Sequence, residues 1–246
     1  MGQRKSVSDT LYFDKKITDY SIDATGNIYV AQEGGSISKY SNNFDSLMTY
    51  SPTQVGNVRL LEAGGGLRIF AFYDFYQEYL LLNRFLTQPV LTKLSDSSLD
   101  FVEIATQSLD NNLWLVENTG FRLIKFNIST HKIELEISLS SIMDTSSNSL
   151  TYLREYQNQV FLIDEHSGIY LFDNLGNFTR KIPAKTSKCS FYGDNIFYVE
   201  NNKVVQLNMY TAEKVIKILS NSKVKGVLAS KNHLYYVQPK CIIKVN

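Results

Sequence analysis

Three acidic side chains occupy matching places in this sequence of 246 residues. Glu117, Asp164 and Glu200 each lie four positions after an aliphatic residue that begins a short apolar segment. If folding brought the three carboxylates together, they could hold a hard cation such as Ca²⁺, which needs several converging oxygen ligands. Three further aliphatic residues have side chains of other types at the same offset, namely Gln32, Tyr73 and Gln238. The six aliphatic residues, called anchors below, are Ile28, Ile69, Leu113, Val160, Ile196 and Leu234.

A second set of polar residues precedes the anchors by eight to ten positions. Its members are Asp19, Arg59, Glu103, Thr151, Lys188 and Lys225. The three cations of this set could bind a carboxylate or a phosphate group. The two carboxylates, Asp19 and Glu103, could instead hold a divalent ion. Polar side chains at the mouth of a narrow channel would also simply keep that channel hydrated, so the spacing leaves these roles open.

The usual nucleophiles and bases of enzymes are not grouped in the sequence. His131, His166 and His233 belong to different repeats, so neither a histidine metal cluster nor a shared triad is expected. No serine stands in a G-x-S-x-G motif. Cys189 and Cys241 are expected to be buried thiols in neighbouring repeats rather than a disulfide. We therefore predict no catalytic residue and no cofactor.

The elements that must position these residues form a repeat. A polar residue, an anchor, an aromatic residue and two further apolar residues recur every 36 to 47 residues. The copies begin at Asn27, Arg68, Asn112, Gln159, Asn195 and His233. A second apolar segment follows each copy after a turn, as in residues 123–126, and further alternating segments flank the pair. Four strands in a period of about forty residues are the signature of a propeller blade.

The sequence therefore predicts an all-β fold, one six-bladed β-propeller with four antiparallel strands per blade. The sixth repeat ends before an outer strand, and residues 10–13 have the right character to supply it. An N-terminal strand that closes the last blade would hide both open edges, whereas a frayed N-terminal tail is the alternative. An irregular crossover is expected over residues 141–148. The predicted blades cover residues 17–52, 58–95, 100–139, 149–183, 187–219 and 223–246 plus 9–16.

The repeats resemble a known family over nearly the whole chain, with a good match in three or four blades. Residues 26–31, with Ile37 and Lys39-Tyr40 after a glycine-containing turn, resemble an NHL-type repeat, and residues 112–126 resemble it more closely. NHL-type and TolB-like propellers have six blades and mostly bind proteins, peptides or RNA, while a minority are lyases or lactonases. In NHL-type repeats an acidic residue at the position of Glu117 accepts hydrogen bonds from the following turn. The resemblance thus implies that these carboxylates tie blades together, and the second strand is too far from the axis for them to converge.

One loop differs from its counterparts in the other repeats. Residues 72–79 are rich in aromatic side chains, where other blades have small turns such as Ser167-Gly168. Strand alternation would bury about half of these aromatics and leave Phe75 and Tyr76 at the loop tip. Aromatic side chains on a rigid rim are typical interface anchors, and core packing is the alternative. The candidate binding aromatics are Phe72, Tyr73, Phe75 and Tyr76.

Charge and hydropathy limit the classes of partner. With a net charge of +1, the chain lacks the positive field that would attract nucleic acids or anionic membranes, so neither is expected as a partner. The longest apolar runs, such as residues 79–82, are too short to span a bilayer. No apolar stretch follows Arg4-Lys5, so the start belongs either to a cytoplasmic protein or to an exported protein without its leader. We predict a periplasmic or otherwise exported location, and a disc that is monomeric by itself.

Two functions of different class remain open at this point. The first is a non-catalytic propeller that binds a protein or peptide within a larger assembly. The candidate binding residues are then Phe72, Tyr73, Phe75, Tyr76, Arg59, Glu103, Lys188 and Lys225. The second is a metal-dependent lactonase or lyase whose central ion would lie near Asp19 and Glu103.

Overall fold

The computed structural model describes residues 10–94, 99–144, 147–219 and 223–245. These residues form 24 strands in six four-stranded antiparallel sheets. The chain is therefore a six-bladed β-propeller, as the repeat predicted. The first three blades consist of β2 to β5 (Ile17–Ile22, Ile28–Gln32, Ile37–Tyr40, Ser46–Tyr50), β6 to β9 (Leu60–Glu62, Arg68–Tyr73, Glu78–Asn83, Val90–Lys93) and β10 to β13 (Val102–Gln107, Leu113–Glu117, Arg122–Asn127, Lys132–Ser138).

The remaining three blades include the one that joins the two ends of the chain. The fourth blade consists of β14 to β17 (Leu150–Tyr156, Gln159–Asp164, Gly168–Asp173, Phe178–Ile182) and the fifth of β18 to β21 (Cys189–Tyr192, Asn195–Glu200, Lys203–Asn208, Lys214–Ile218). The sixth consists of β22 to β24 (Gly226–Ala229, Leu234–Gln238, Cys241–Val245) and of β1 (Thr10–Tyr12).

The N-terminal strand closes the ring, as predicted. Leu11 on β1 pairs with Ile242 on β24, and the amide of Phe13 donates to the carbonyl of Lys240 over 2.9 Å. Phe13 is buried and packs edge-on against Tyr40 of the first blade. Because β1 covers an edge that would otherwise expose unpaired amides, this pairing satisfies the last blade and holds it to the first.

The anchors form the core between blades. All lie on the second strand of their blade, and all but Leu234 are almost completely buried. β-Branched and aromatic side chains suit such a pleated surface because they pack against the sheet on either side. Trp114 is fully buried, and its indole N–H donates to Glu155 of the next blade over 2.9 Å. This buried contact fixes the third blade to the fourth.

The antiparallel meander divides the loops between two faces. The upper face carries the connectors that enter each innermost strand and the loops between second and third strands, including residues 74–77. The lower face carries the first-to-second and third-to-fourth strand loops. Turns occupy residues 141 and 142 of the predicted crossover, and its residues 145 and 146 lie outside the described ones. Within the described ranges, no helix is long and apolar enough to cross a membrane.

Candidate functional site

The upper mouth of the central channel is shaped by a recurring β-bulge. In blades one, three and four the register between the first two strands shifts at Thr18, Glu103 and Thr151. In blade two the amide of Arg59 donates to the carbonyl of Phe72, which already opposes Leu60. Blade six repeats this with Lys225. A bulge places two residues of one strand opposite one residue of the other and changes the direction of the side chains. We call the five residues at these positions the upper ring of the mouth: Thr18, Arg59, Glu103, Thr151 and Lys225.

The predicted polar set spans two levels of the channel rather than one. Arg59, Glu103, Thr151 and Lys225 belong to the upper ring, but Asp19 and Lys188 do not. Asp19 pairs with Ala31, one position beyond the bulge, and Lys188 immediately precedes Cys189, which pairs with Tyr198. The upper-ring residues of blades one and five are therefore Thr18 and Ser187. Asp19 and Lys188 thus lie one position further along the innermost strand than the other members of the predicted set, and both still line the mouth.

The upper mouth opens into a cavity of about 280 Å³. Five members of the predicted polar set line it: Asp19, Arg59, Thr151, Lys188 and Lys225. Four further lining residues lie outside the predicted binding set, namely Lys16, Thr18, Ser187 and Gln238. Gln238 belongs to the other predicted set, at the end of a second strand, and that offset was the available signal.

Below the upper ring, an ion pair joins the fifth blade to the first. Lys188 Nζ donates to Asp19 Oδ1, and the amide of Leu61 donates to Asp19 Oδ2 over 2.6 Å. Both carboxylate oxygens of Asp19 are therefore engaged. The Lys188 ammonium also lies 4.6 Å from the ring centre of Tyr20 and 5.1 Å from that of Tyr152. Cation–π contacts of this kind stabilise a desolvated ammonium group.

Arg59 and Glu103 lie together at the mouth. Burial raises the pKa of the Glu103 carboxyl, and the nearby Arg59 cation opposes part of that rise. Arg59 donates through Nη2 to the carbonyl of Leu150, and its Nε lies 3.9 Å from Asp74 Oδ2. The charge of Arg59 is thus shared between two carboxylates, one of them in the aromatic loop.

The second-strand carboxylates have a structural role. Glu117 accepts from the amide of Asp100 over 2.7 Å and forms an ion pair with Arg122. Asp164 accepts from the amide of Ser149 over 3.0 Å and from the turn that follows it, and Glu200 accepts from the amide of Lys185 over 2.7 Å. Each therefore ties its blade to the incoming connector. Among the described residues, no group of three or more His, Cys, Asp or Glu side chains could hold a metal ion.

The aromatic loop separates into a buried and an exposed half. Phe72 and Tyr73 are buried between blades, so these two candidates contact the core and not a partner. Phe75 is 84% exposed at the loop tip. Tyr76 is half-buried, since its hydroxyl donates to the carbonyl of Val55 over 2.7 Å and its ring packs edge-on against Phe75 at 5.1 Å.

The connectors on either side of this loop expose further apolar side chains. Val55 is 75% exposed and Phe101 is 49% exposed. The Gln77 side-chain amide donates to the Val102 carbonyl over 2.9 Å and accepts from the Val102 amide over 2.7 Å, which fixes the loop beside Phe101. We call Val55, Phe75, Tyr76 and Phe101 the apolar rim. Isolated apolar residues in connectors carry no periodic signal, so Val55 and Phe101 were missed.

Two other surfaces provide a contrast. The lower mouth opens into a cavity of about 580 Å³, where the Arg154 Nε lies 3.1 Å from Glu62 Oε2. The outer strand β21 exposes three apolar residues, Val215, Ile216 and Ile218.

Cys189 and Cys241 are buried free thiols, as expected, and burial raises the pKa of Cys189 to about 12. A thiol with so high a pKa is a poor nucleophile.

Comparison with known proteins supports the propeller fold and assigns no function. No protein-family model and no curated protein matches the sequence. The structure resembles a streptogramin B lyase (TM-score 0.64, 13% identity, 93% of this chain and 78% of that one). It also resembles virginiamycin B lyase from Staphylococcus aureus with quinupristin (0.63, 14%, 93% and 79%) and the Cps50 (Swd1) β-propeller domain of Myceliophteria thermophila (0.64, 12%, 93% and 82%). At these identities the likeness shows the propeller fold alone, and one fold carries unrelated functions.

Proposed function

We propose that this chain is a non-catalytic propeller that binds a protein or peptide partner through its upper face. The observation that carries this proposal is Phe75, which stands 84% exposed at the tip of a loop beside the channel mouth. A large aromatic side chain in water costs free energy unless something covers it. Aromatic residues on a fixed surface are the side chains that most often dominate protein interfaces.

The loop that carries Phe75 is held in place by its neighbours. The Phe75 amide donates to Asp74 Oδ1 over 2.8 Å, and the Gln77 side-chain amide donates to the Asp74 carbonyl over 2.7 Å. The hydroxyl of Tyr76 fixes the loop to the preceding connector. A pre-ordered loop loses little conformational entropy on binding, which favours its use as an anchor.

Asp19 bears on the alternative function, a metal-dependent lyase or lactonase. That chemistry needs carboxylate oxygens free to face an ion in the channel. Asp19 instead directs one oxygen to the Lys188 ammonium and the other to the Leu61 amide. Glu103 lies beside the cation of Arg59. These contacts favour a binding role for the mouth over metal catalysis.

Substitution of Phe75 tests the proposal without disturbing the fold. Phe75→Ser removes the exposed anchor, whereas Tyr76 supports the connector and is left intact. The matched control is Leu175→Ser, because Leu175 is 68% exposed on the lower face. The partner is identified by pull-down with mass spectrometry, and its affinity for each purified variant is measured by calorimetry. We expect Phe75→Ser to weaken binding about thirtyfold or more, as for a hot-spot aromatic, and Leu175→Ser to leave it unchanged. Equal affinities of Phe75→Ser and the unmodified chain would refute the proposal.

A further inference from the structure

The cavity at the upper mouth is lined by hydrogen-bond donors that lack partners. Gln238 is 9% exposed, and its Nε2 is buried without a hydrogen-bond partner among the described residues. Its Oε1 already accepts from the Cys241 thiol at 3.5 Å, so the amide can serve the cavity only as a donor. The hydroxyls of Thr18 and Thr151, which also line the cavity, are likewise buried and without partners within the described ranges. Buried donors of this kind are rare and call for an explanation.

Two cations extend this donor set. Lys16 and Lys225 line the cavity, and within the described ranges neither ammonium forms an ion pair or a hydrogen bond. Among the described lining residues the one carboxylate, Asp19, is already paired with Lys188, so no wall charge balances the two ammonium groups. The cavity therefore combines unpaired positive charge with unpaired buried donors.

A group that satisfied this cavity would have to be negatively charged and rich in acceptors. A carboxylate meets both conditions, since its two oxygens accept up to four hydrogen bonds and pair with ammonium groups. A neutral apolar ligand would leave the donors unsatisfied, and a cation would face Lys16 and Lys225 directly. The cavity of about 280 Å³ has room for an acidic side chain or a chain terminus.

The cavity also continues outward along the upper face. A second cavity, about 470 Å³, shares Ser187 and Lys225 with the first, and its other polar lining residues are Glu165, His166, Lys185, Thr186, Asn201 and Asn202. The two together form a polar groove that runs from the channel mouth across blade five. An extended peptide could follow this groove and place one carboxylate in the mouth.

We propose that the mouth cavity binds a carboxylate of a peptide, with Lys16 and Lys225 as its cations and Thr18, Thr151 and Gln238 as its neutral donors. The inference rests on the proposed docking function and gives the partner its chemistry: an extended segment with an aspartate, a glutamate or a free C-terminus. Phe75 would then contact an apolar part of the same partner, at the opposite side of the mouth.

Matched short peptides test the proposal directly. The probes are an acetylated, amidated tripeptide with a central aspartate, the same tripeptide with asparagine, a tripeptide with a free C-terminal carboxylate, and inorganic phosphate. We expect one or both carboxylate peptides to bind, and the asparagine peptide not to bind, in calorimetry at low salt. The two carboxylate probes distinguish a side chain from a chain terminus as the source. Binding should weaken between 0.1 M and 1 M salt, because the screening length falls from about 10 Å to about 3 Å over this range.

Two variants and one control locate the site. Lys225→Gln should weaken binding of the carboxylate peptide about tenfold, the usual effect of losing one charge-assisted hydrogen bond. Thr151→Val should weaken it severalfold without changing the charge, which separates direct contact from a long-range field. Lys231→Gln, an exposed lysine of the same blade on the lower face, should have no effect.

Three results would overturn the proposal. They are equal binding of the aspartate and asparagine peptides, binding of phosphate alone, and unchanged carboxylate binding by Lys225→Gln and Thr151→Val. These assays do not involve Phe75. If the partner binds Phe75→Ser as tightly as the unmodified chain, the docking proposal is refuted and the peptide result is unaffected. If the carboxylate peptides do not bind, only the carboxylate site is refuted.

Discussion

Lys188 of the fifth blade and Asp19 of the first form an ion pair inside the channel, although 169 positions separate them in sequence. Both side chains are about nine-tenths buried. Gly226 lies at the same level in blade six, and a Cβ there would lie 1.6 Å from the Tyr20 hydroxyl oxygen. Glycine at this position therefore allows Tyr20 to lie beside the pair. The pair connects both flanks of the blade that closes the ring.

Replacing one member of this ion pair should destabilise the fold more than replacing both. Asp19→Asn leaves the Lys188 charge buried without compensation and should lower the free energy of unfolding by about 3 kcal/mol. The double variant Asp19→Asn with Lys188→Met should recover part of that loss, because no buried charge remains. Urea unfolding of both single variants and the double variant gives the coupling energy. Additive effects would show that the two residues do not interact.

Closure of the ring can be tested at two adjacent residues. Phe13→Ala should lower the free energy of unfolding by about 3 kcal/mol, since it empties a buried site between the last and first blades. Tyr12→Ala is the control, because Tyr12 is 75% exposed, and it should change stability by less than about 0.5 kcal/mol. Amide exchange of Ile242 and Ile243 should accelerate in Phe13→Ala. Slow exchange there in that variant would argue against closure by the N-terminal strand.

Phe72 and Phe75 of the aromatic loop should have different roles, the first in stability and the second in binding. Phe72 is fully buried, so Phe72→Ala should destabilise the fold by about 3–5 kcal/mol. Phe75→Ala should leave the unfolding midpoint within about 0.5 kcal/mol of the unmodified chain. Thermal and urea unfolding measure both effects. Marked destabilisation by Phe75→Ala would assign that ring to the core and remove the basis of the docking proposal.

Asp23 should make stability depend on pH. Burial alone would raise the pKa of Asp23, but hydrogen bonds from Thr25, Asn27 and Tyr29 outweigh it and lower the pKa. A lowered pKa stabilises the fold above the unfolded value, about 3.9, and that contribution disappears as the pH falls through the folded value. Asp23→Asn should therefore be less stable than the unmodified chain at pH 7, with the gap closing below about pH 4. A gap independent of pH would contradict the assignment.

Glu103 should act in the opposite sense. Burial raises the pKa of its carboxyl, so the ionised form is penalised in the fold and stability falls as the pH rises through the raised pKa. Glu103→Gln should be more stable than the unmodified chain at pH 7 and equal to it below the ordinary glutamate pKa of about 4.3. Urea unfolding from pH 3 to pH 8 measures both carboxylates. Lower stability of Glu103→Gln at pH 7 would show that the attraction to Arg59 outweighs burial.

The repeat made the fold predictable from sequence, whereas the site depends on register. Each anchor marks a strand because an anchor, an aromatic residue and two further apolar residues recur every 36 to 47 residues, and this repeat locates all six blades. The level of a polar side chain in the channel depends instead on strand register, which places Asp19 and Lys188 one position deeper than Arg59, Glu103, Thr151 and Lys225. Gln238 and Glu117 share one offset from their anchors, yet Glu117 binds a connector amide, whereas the Gln238 side-chain nitrogen has no partner among the described residues. Only the three-dimensional neighbours separate those two roles.

Hydrogen exchange of the chain with and without its partner tests the central claim most directly. We predict that the partner slows exchange in residues 52–59, 74–77 and 99–103, which contain the apolar rim, and in residues 223–226 at the mouth. Exchange on the lower face around Leu67, Leu109 and Leu175 should remain unchanged. Protection confined to the lower face, or to the exposed outer strand β21, would contradict a partner that docks on the upper face.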